Sequence, residues 1–321
     1  MKRIRFGRTN IEVPTISLGT WGQGGARIAG GKSVGWTGND DAQALAALRD
    51  AWAAGITHWD TADVYGDGHA EKLIGRAFTE VPRREIFVAS KFGYDTGPSG
   101  RPYESQFMRE RCERSLRNLR TDVIDLYYFH HCDFGERDRY LDEALQTMQA
   151  LRREGKIRFI GLSDWSCARI EAVIHRIDPD AVQPYRNIVD DEYASSGLAA
   201  SVAARDLGVA FFSPLKHGLL LGKTTEPREF AEGDFRRNVA EFGDAAALAR
   251  IARAANAVRH RFVAQPEPVL SAVTGALLAV NPTATVLLGQ RTPQQVAAAS
   301  KIGEALSPDD AEWVVRTYRE A

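Results

Sequence analysis

The stretch Gly55-Ile56-Thr57-His58-Trp59-Asp60-Thr61-Ala62-Asp63-Val64-Tyr65-Gly66 decides how the rest of the chain is read. It opens as an apolar, β-branched and aromatic run with the length of a short buried strand. It closes on an acid, Asp60, and a glycine-flanked loop carrying Tyr65. An acid at a strand's end with a tyrosine just past it suits a mouth, not a core. A plainer reading competes: Asp60 or Asp63 opens the helix that follows, since aspartate is a favoured N-cap. Residues elsewhere must choose between the two.

Upstream, residues 2–6 alternate charged and apolar, Gly7-Arg8-Thr9-Asn10 is turn-like, and Ile11-Glu12-Val13 alternates again, which predicts a short hairpin ahead of the main fold. Ile16-Ser17-Leu18-Gly19 is a compact strand followed by a long glycine-rich loop over 20–38. Its glycines do not form G-x-G-x-x-G between a strand and a helix, so a Rossmann phosphate loop is rejected; the loop either covers a site or lies on the surface. Downstream the chain settles into a rhythm. Strands are predicted at Ile16, Ile56, Ile86, Val123, Ile157, Ala181, Val209 and Thr285. Helical patterns fill 41–54, 70–78, 104–119, 141–153, 167–176, 198–207 (with Gly208 as its stop), 244–260 and 268–280, and closing helices follow at 293–302 and 309–318. A longer insertion runs over 219–243. Strands that alternate with helices imply a parallel sheet with crossover helices, and eight such units predict an α/β fold: a (β/α)8 TIM barrel with an N-terminal β-hairpin and extra C-terminal helices. No Pro/Gly/Ser-rich linker divides the chain, so residues 1–321 are read as one domain.

With 321 residues, 44% hydrophobic and 26% charged, the chain can bury a large core. The net charge of -1 supplies no basic field for nucleic acid. Three cysteines, Cys112, Cys132 and Cys167, are widely spaced without CxxC, which argues against a disulfide framework or a zinc cluster, and Cys112 reads as a small buried hydrophobe in a helix. No segment has the run of about 20 apolar residues that spans a bilayer, and the N-terminus lacks the apolar core of a signal peptide, so a cytoplasmic protein with no membrane contact is expected. No metal is expected either, since HExxH spacing is absent. GxSxG is absent as well, which disfavours a hydrolase of that type. No assembly state follows from the sequence.

In barrels of this kind the site lies at the C-terminal ends of the strands. There fall Asp60 and Tyr65, Lys91, His130, Ser163, Gln183 and Ser213. Each has an ordinary reading: a solvated lysine, a core histidine, a packing tyrosine, turn and core-edge residues. The chemistry favours a joint one. A phenol with a reference pKa of about 10 is a poor proton donor near neutrality, and a nearby ammonium lowers it. Lys91 is expected to supply that charge, Asp60 to hold Lys91, and a neutral His130 to hydrogen-bond a carbonyl oxygen near Tyr65. Such a set forms a proton donor aimed at a developing alkoxide, the partner of hydride transfer.

The same residues stand in longer motifs: Asp60-Thr61-Ala62-x-x-Tyr65-Gly66 with Glu71, Ser90-Lys91, Asp125-Leu126-Tyr127-Tyr128-Phe129-His130, Gly161-Leu162-Ser163 and Gln183. Ser213-Pro214-Leu215-x-x-Gly218-Leu219-Leu220-x-Gly222-Lys223 and Gly289-x-Arg291-Thr292-Pro293-x-Gln295 follow in order. Through these motifs the chain resembles the aldo-keto reductase family along nearly its whole length. The resemblance implies a catalytic tetrad of Asp60, Tyr65, Lys91 and His130, with His131 where relatives usually carry arginine. It implies a nicotinamide dinucleotide bound without a Rossmann fold, NADP (NADPH) first and NAD as the alternative. Ser163 and Gln183 would hold the carboxamide. Ser213, Leu215, Gly218 and Leu219 would line the pyrophosphate, and Arg291 would meet the 2′-phosphate with Gln295 close by. Gly19, Thr20, Trp21, Asp164, Tyr185, Gly222, Lys223 and Gly289 complete the expected cofactor contacts.

Three departures stand out. Asp164 replaces a common asparagine and can accept from the carboxamide but not donate to it. The tyrosine that usually stacks on nicotinamide lies three residues after the glutamine; here Arg186 is three on and Tyr185 two on, and Tyr185 is favoured. Ala298 and Ala299 stand where adenine-contacting residues are common. The implied activity is NADPH-dependent reduction of an aldehyde or ketone to an alcohol, with Tyr65 as general acid and a small carbonyl compound as substrate. Two other readings are an NAD(P)-dependent sugar or alcohol dehydrogenase, and a nucleotide-binding regulatory subunit resembling potassium-channel beta subunits.

Overall fold

The computed structural model describes residues 1–190 and 192–321. In chain order the strands are β1 (Arg3–Arg5), β2 (Glu12–Pro14), β3 (Ile16–Gly19), β4 (Ile28–Ala29), β5 (Lys32–Ser33), β6 (His58–Asp60), β7 (Phe87–Phe92), β8 (Ile124–Phe129), β9 (Ile157–Asp164), β10 (Ala181–Pro184), β11 (Gly208–Phe211) and β12 (Ala284–Gly289). Eight of them, β3 and β6 to β12, pair in parallel and close a barrel. These are the eight strands the sequence rhythm predicts. Helices α1 (Asp41–Ala53), α2 (His69–Ala77) and α3 (Ser105–Leu119) follow β5, β6 and β7, and later helices continue the ring to Pro308–Arg319.

Alternation along the strands sorts the residues. Phe87 and Ala89 of β7, Leu126 and Tyr128 of β8, Ala181 of β10, Ala210 of β11 and Leu287 of β12 form one buried cluster, the filling of the barrel. Their neighbours, such as Val88, Tyr127, Val182, Val209 and Val286, belong to the large cluster packed under the helices. Continuing the inward series by two carries β7 from Ala89 to Lys91 and β8 from Tyr128 to His130. Likewise β10 passes from Ala181 to Gln183, and β11 from Ala210 to Phe212. The lumen face thus ends, on strand after strand, in the residues that build the site.

The expected hairpin forms as β1 against β2, and Phe6 between them plugs the N-terminal end of the barrel against Phe87 and His58. Gly208 makes room for it: a Cβ there would sit 2.6 Å from the Phe6 ring. One local expectation is corrected. The helix after β10 ends at Arg205 with Asp206 in the left-handed region (φ 51°), so Asp206 is the stop and Gly208 already begins β11. Of the two readings of the loop over 20–38, the covering one holds: it carries a 3-10 turn and the β4–β5 hairpin and contributes Trp21 and Val34 to a cavity wall. Among the described residues no helix is long and apolar enough to cross a membrane.

Candidate active site

The capping reading of the opening stretch fails: α2 starts at His69 behind Gly68, so neither Asp60 nor Asp63 caps it. Asp60 lies at the end of β6, beside Ala89 of β7, with a buried side chain. Lys91 Nζ donates to Asp60 Oδ1 at 2.5 Å, to the Thr61 carbonyl at 2.7 Å and to the Tyr65 hydroxyl at 3.3 Å. An ammonium has three N–H groups, and here each has an acceptor. Gln183 Nε2 donates to the other Asp60 oxygen at 2.7 Å. Burial pushes Asp60 up and Lys91 down, and each is pulled back by the other's charge. With every donor and both carboxylate oxygens engaged, the pair is ionic. Thr20 donates through both its amide and its hydroxyl to the Asp60 carbonyl, so it braces the strand end rather than lining the cavity.

Tyr65 corrects one expectation. Its hydroxyl is held well above the ordinary phenol range, by burial first and then by the Asp60 carboxylate; Lys91 does not bring it down. The phenol is therefore fully protonated at neutral pH. His130 packs edge-on to Tyr65 at 5.8 Å and to Tyr94 at 4.5 Å between ring centroids. Burial, with the Lys91 charge adding, holds it well below its ordinary value, so its imidazole is neutral. His131 is turned aside: its Nε2 meets the Gly93 carbonyl at 2.8 Å and its Nδ1 accepts from the Asp133 amide.

Two cavities, of about 570 and 320 Å³, share Trp21, Tyr65, Gln183 and Phe212 in their walls. The first contains His130, Ser163, Asp164, Tyr94 and Trp165. The second runs past Gly19, Ser213, Leu215, Gly218 and Gly289 to Gln295 and two guanidinium groups, Arg291 and Arg236. Ser213, Lys216 and His217 have left-handed backbone (φ 55°, 45° and 59°), as has Gly218 at 90°. Within this turn the Lys216 and Gly218 amides donate to the Ser213 and Leu215 carbonyls, at 3.0 Å each.

Other expected contacts fall elsewhere. The two Asp164 oxygens accept from the Cys132 and Ser166 amides at 2.6 and 2.9 Å, so this carboxylate ties two loops together at the cavity wall. Tyr185 lines neither cavity; it packs behind Trp165 and Phe212 and donates to Asp190. Arg186 is turned outward over Tyr193 and Phe211. The ring at the junction is Phe212. Leu219 is buried in a satellite cluster with Phe230 and Phe242, Gly222 packs on the helix Ala245–Arg261, and Lys223 is exposed and lines neither cavity.

The sequence reading missed Arg236, Phe212, Trp165, Tyr94 and Trp36. The first is instructive. Asp234, fully buried, accepts from Arg236 Nε and Nη2 at 2.9 and 2.7 Å and from the Thr37 amide and hydroxyl. Arg236 is thereby pinned over the Trp36 ring at 4.7 Å, facing the same cavity as Arg291. No motif marks it, because its position depends on a loop-to-loop register. Phe212 was legible in principle as the next inward residue after Ala210.

The model of the aldo/keto reductase family matches residues 15–313. Among curated relatives, "Aldo-keto reductase str7" of Strobilurus tenacellus is 34% identical over 70% of this chain. "Aldo-keto reductase yakc [NADP(+)]" of Schizosaccharomyces pombe is 33% identical over 61%. The matched stretches span 66% and 59% of those relatives' own lengths. Among solved structures, the glycerol dehydrogenase AKR11B4 from Gluconobacter oxydans superposes with a TM-score of 0.81 at 26% identity, covering 98% of this chain and 94% of that one.

Proposed function

Because the chain belongs to the aldo/keto reductase family, we propose that it reduces an aldehyde or ketone to the alcohol with NADPH as the electron donor. The observation that carries this reading is Lys91 Nζ bridging Asp60 and the Tyr65 hydroxyl at the floor of a two-lobed cleft. When bound, reduced nicotinamide would supply a hydride, two electrons with one proton, for the carbonyl carbon. Tyr65 gives its proton to the oxygen, and solvent later restores it. A phenol whose pKa is raised at rest holds that proton until negative charge develops on the substrate. The Lys91 ammonium then stabilises the phenolate left behind. Neutral His130 directs the carbonyl oxygen toward the hydroxyl, and Asp60 fixes Lys91.

The cleft fits a dinucleotide. Ser163 and Gln183 would hold the carboxamide and Phe212 would face the ring. The loop from Ser213 to Gly218 would take the pyrophosphate, and Arg291 with Arg236 the 2′-phosphate. Two guanidiniums at one end support NADP over NAD. All three cysteines are buried thiols, which suits a reducing compartment, and we place the enzyme in the cytoplasm.

The test compares wild type with Tyr65→Phe under steady-state NADPH oxidation with an aromatic aldehyde, alongside NADPH binding by fluorescence. The expected result is a kcat lower by about 10²–10⁴-fold with binding retained. Equal rates would remove Tyr65 from the chemistry. The same groups serve the reverse reaction, alcohol oxidation with NADP, and the structural likeness to a glycerol dehydrogenase supports assaying both directions.

A further inference from the structure

We infer that Tyr128 is a positioning residue for the reaction, its hydroxyl a donor that Asp60 draws on only as the proton leaves Tyr65; this rests on the reductase reading above. Tyr128 lies on β8, two residues before His130, facing the lumen and fully buried. In register it stands between Lys91 of β7 and Gly161 of β9. A Cβ at Gly161 would strike the Tyr128 ring, so the glycine is what lets that ring lie across β9. On the next strand come Ala181, in the same buried cluster, and then Gln183. The ring is thus aimed at the strand whose Gln183 holds Asp60.

Packing alone does not explain the oxygen. Phenylalanine would fill the same space, and the Tyr128 hydroxyl is buried without a hydrogen bond to any described residue, which costs stability. Burial holds the phenol well above its ordinary range, the Asp60 carboxylate adds to this and Gln183 opposes it. The hydroxyl therefore keeps its proton, and its polar surroundings are Asp60 and Gln183. At rest Asp60 has no need of it: Oδ1 accepts from Lys91 at 2.5 Å and Oδ2 from Gln183 at 2.7 Å. Lys91 reaches the Tyr65 hydroxyl at the longer distance of 3.3 Å. When Tyr65 gives up its proton, its oxygen becomes an anion and competes for that same ammonium. Asp60 then loses part of its counter-charge where no water can replace it. A Tyr128 O–H with no other engagement turns to the carboxylate. A hydrogen bond made only as the charge moves lowers the barrier without strengthening the resting state.

The experiment compares wild type with Tyr128→Phe, which keeps the ring over Gly161 and removes only the oxygen. NADPH-loaded enzyme is mixed with benzaldehyde in a single turnover, with NADPH and with its deuterated form, and Tm and the Kd for NADPH are measured alongside. The expected result is hydride transfer slower by about tenfold, the size of one hydrogen bond to a charged group. The isotope effect is at least that of wild type, the Kd is unchanged, and Tm is equal or higher because an unpaired buried oxygen has gone. The same change is then made in Asp60→Asn. There no carboxylate remains to be stabilised, and the further loss should be under about twofold. An unchanged single-turnover rate in Tyr128→Phe overturns the inference. So does an equal loss in the Asp60→Asn background, or a loss that comes with a lower Tm, since the hydroxyl would then act elsewhere or only support the fold. A wild type that binds NADPH and transfers no hydride overturns the reductase reading and this inference with it.

Discussion

Lys91 is the residue on which the other three depend. Its side chain is buried, and its charge is tolerated because Asp60 faces it. Replacing it with methionine would leave a buried carboxylate without a counter-charge. A loss of about 3–5 kcal/mol at pH 7 is expected, the cost of breaking a buried pair from one side. The sign with pH is definite. Without Lys91 the Gln183 hydrogen bond alone opposes the burial that already pushes Asp60 up, so the folded carboxyl stays protonated to higher pH than the unfolded one. The deficit of Lys91→Met is therefore small near pH 4 and grows as pH rises. Urea denaturation of wild type, Lys91→Met and Asp60→Asn/Lys91→Met at several pH values checks it. A single-variant deficit under about 1 kcal/mol, or no recovery in the double variant, would mean the pair is not ionic. These residues were legible in the sequence because a strand's inward face repeats every two residues and ends at the mouth. Tyr185 was misjudged for the same kind of reason in reverse. It lies beyond β10, where the period no longer says which way a side chain turns.

Between β6 and α2, the loop that carries Tyr65 is held by a chain of four charges from four places. Arg111 of α3 donates to Asp63 at 2.7 Å and to Asp95 at 2.9 Å, and Arg27 joins Asp95 to the Val64 carbonyl. This chain was not legible. Arg111 looks like any arginine on an amphipathic helix, and its partners lie on loops whose meeting no periodicity encodes. Asp63 carries a displaced carboxyl. Burial lifts its carboxyl to about 7, with Glu71 and Asp95 adding and Arg111 opposing, and its Oδ1 is buried without a partner. Its unfolded value is near 4. Below about 4 both states carry the proton and the group costs nothing. As pH rises through 4 to 7 the unfolded chain sheds the proton first, and the fold loses stability, fully so above 7. Asp63→Asn removes that dependence. The difference in Tm between Asp63→Asn and wild type should therefore move in the variant's favour as pH rises from 5 to 8. A constant difference, or drift the other way, would show that Arg111 keeps Asp63 ionised throughout.

At the scale of the whole molecule the barrel was legible, since eight strands with helices between them admit few other closures. The cover over its mouth was not. Two loops, 20–38 and 219–243, lack period and meet only in three dimensions. Gly35 donates to the Gly233 carbonyl and Phe235 to the Gly35 carbonyl, at 3.0 and 2.8 Å. Asn238 reaches the Ser33 carbonyl, and the Gly233 amide reaches the Ser33 hydroxyl. Asp234 sits at the centre, bonded to Thr37 on one loop and Arg236 on its own, and Arg291 from the far side of the cleft takes the Thr37 carbonyl at 3.0 Å. The clasp holds Trp36 and Arg236 in the wall of the lobe proposed for the dinucleotide, and cofactor release is expected to wait on its opening. Asp234→Asn keeps the side chain's shape and removes the charge that both partners use. Hydrogen bonds to a charged group contribute about 1.5–3 kcal/mol each, and losing one such share corresponds to release of NADPH faster by about tenfold or more. The proton transfer at Tyr65 lies beyond the clasp and should keep its rate in a single turnover. Stopped-flow fluorescence separates the two: faster release with an unchanged single-turnover rate fits a clasp, whereas unchanged release places the rate-limiting opening elsewhere. A fall in both would instead mean that the clasp shapes the lobe beside Tyr65, to which Phe235 already contributes a wall.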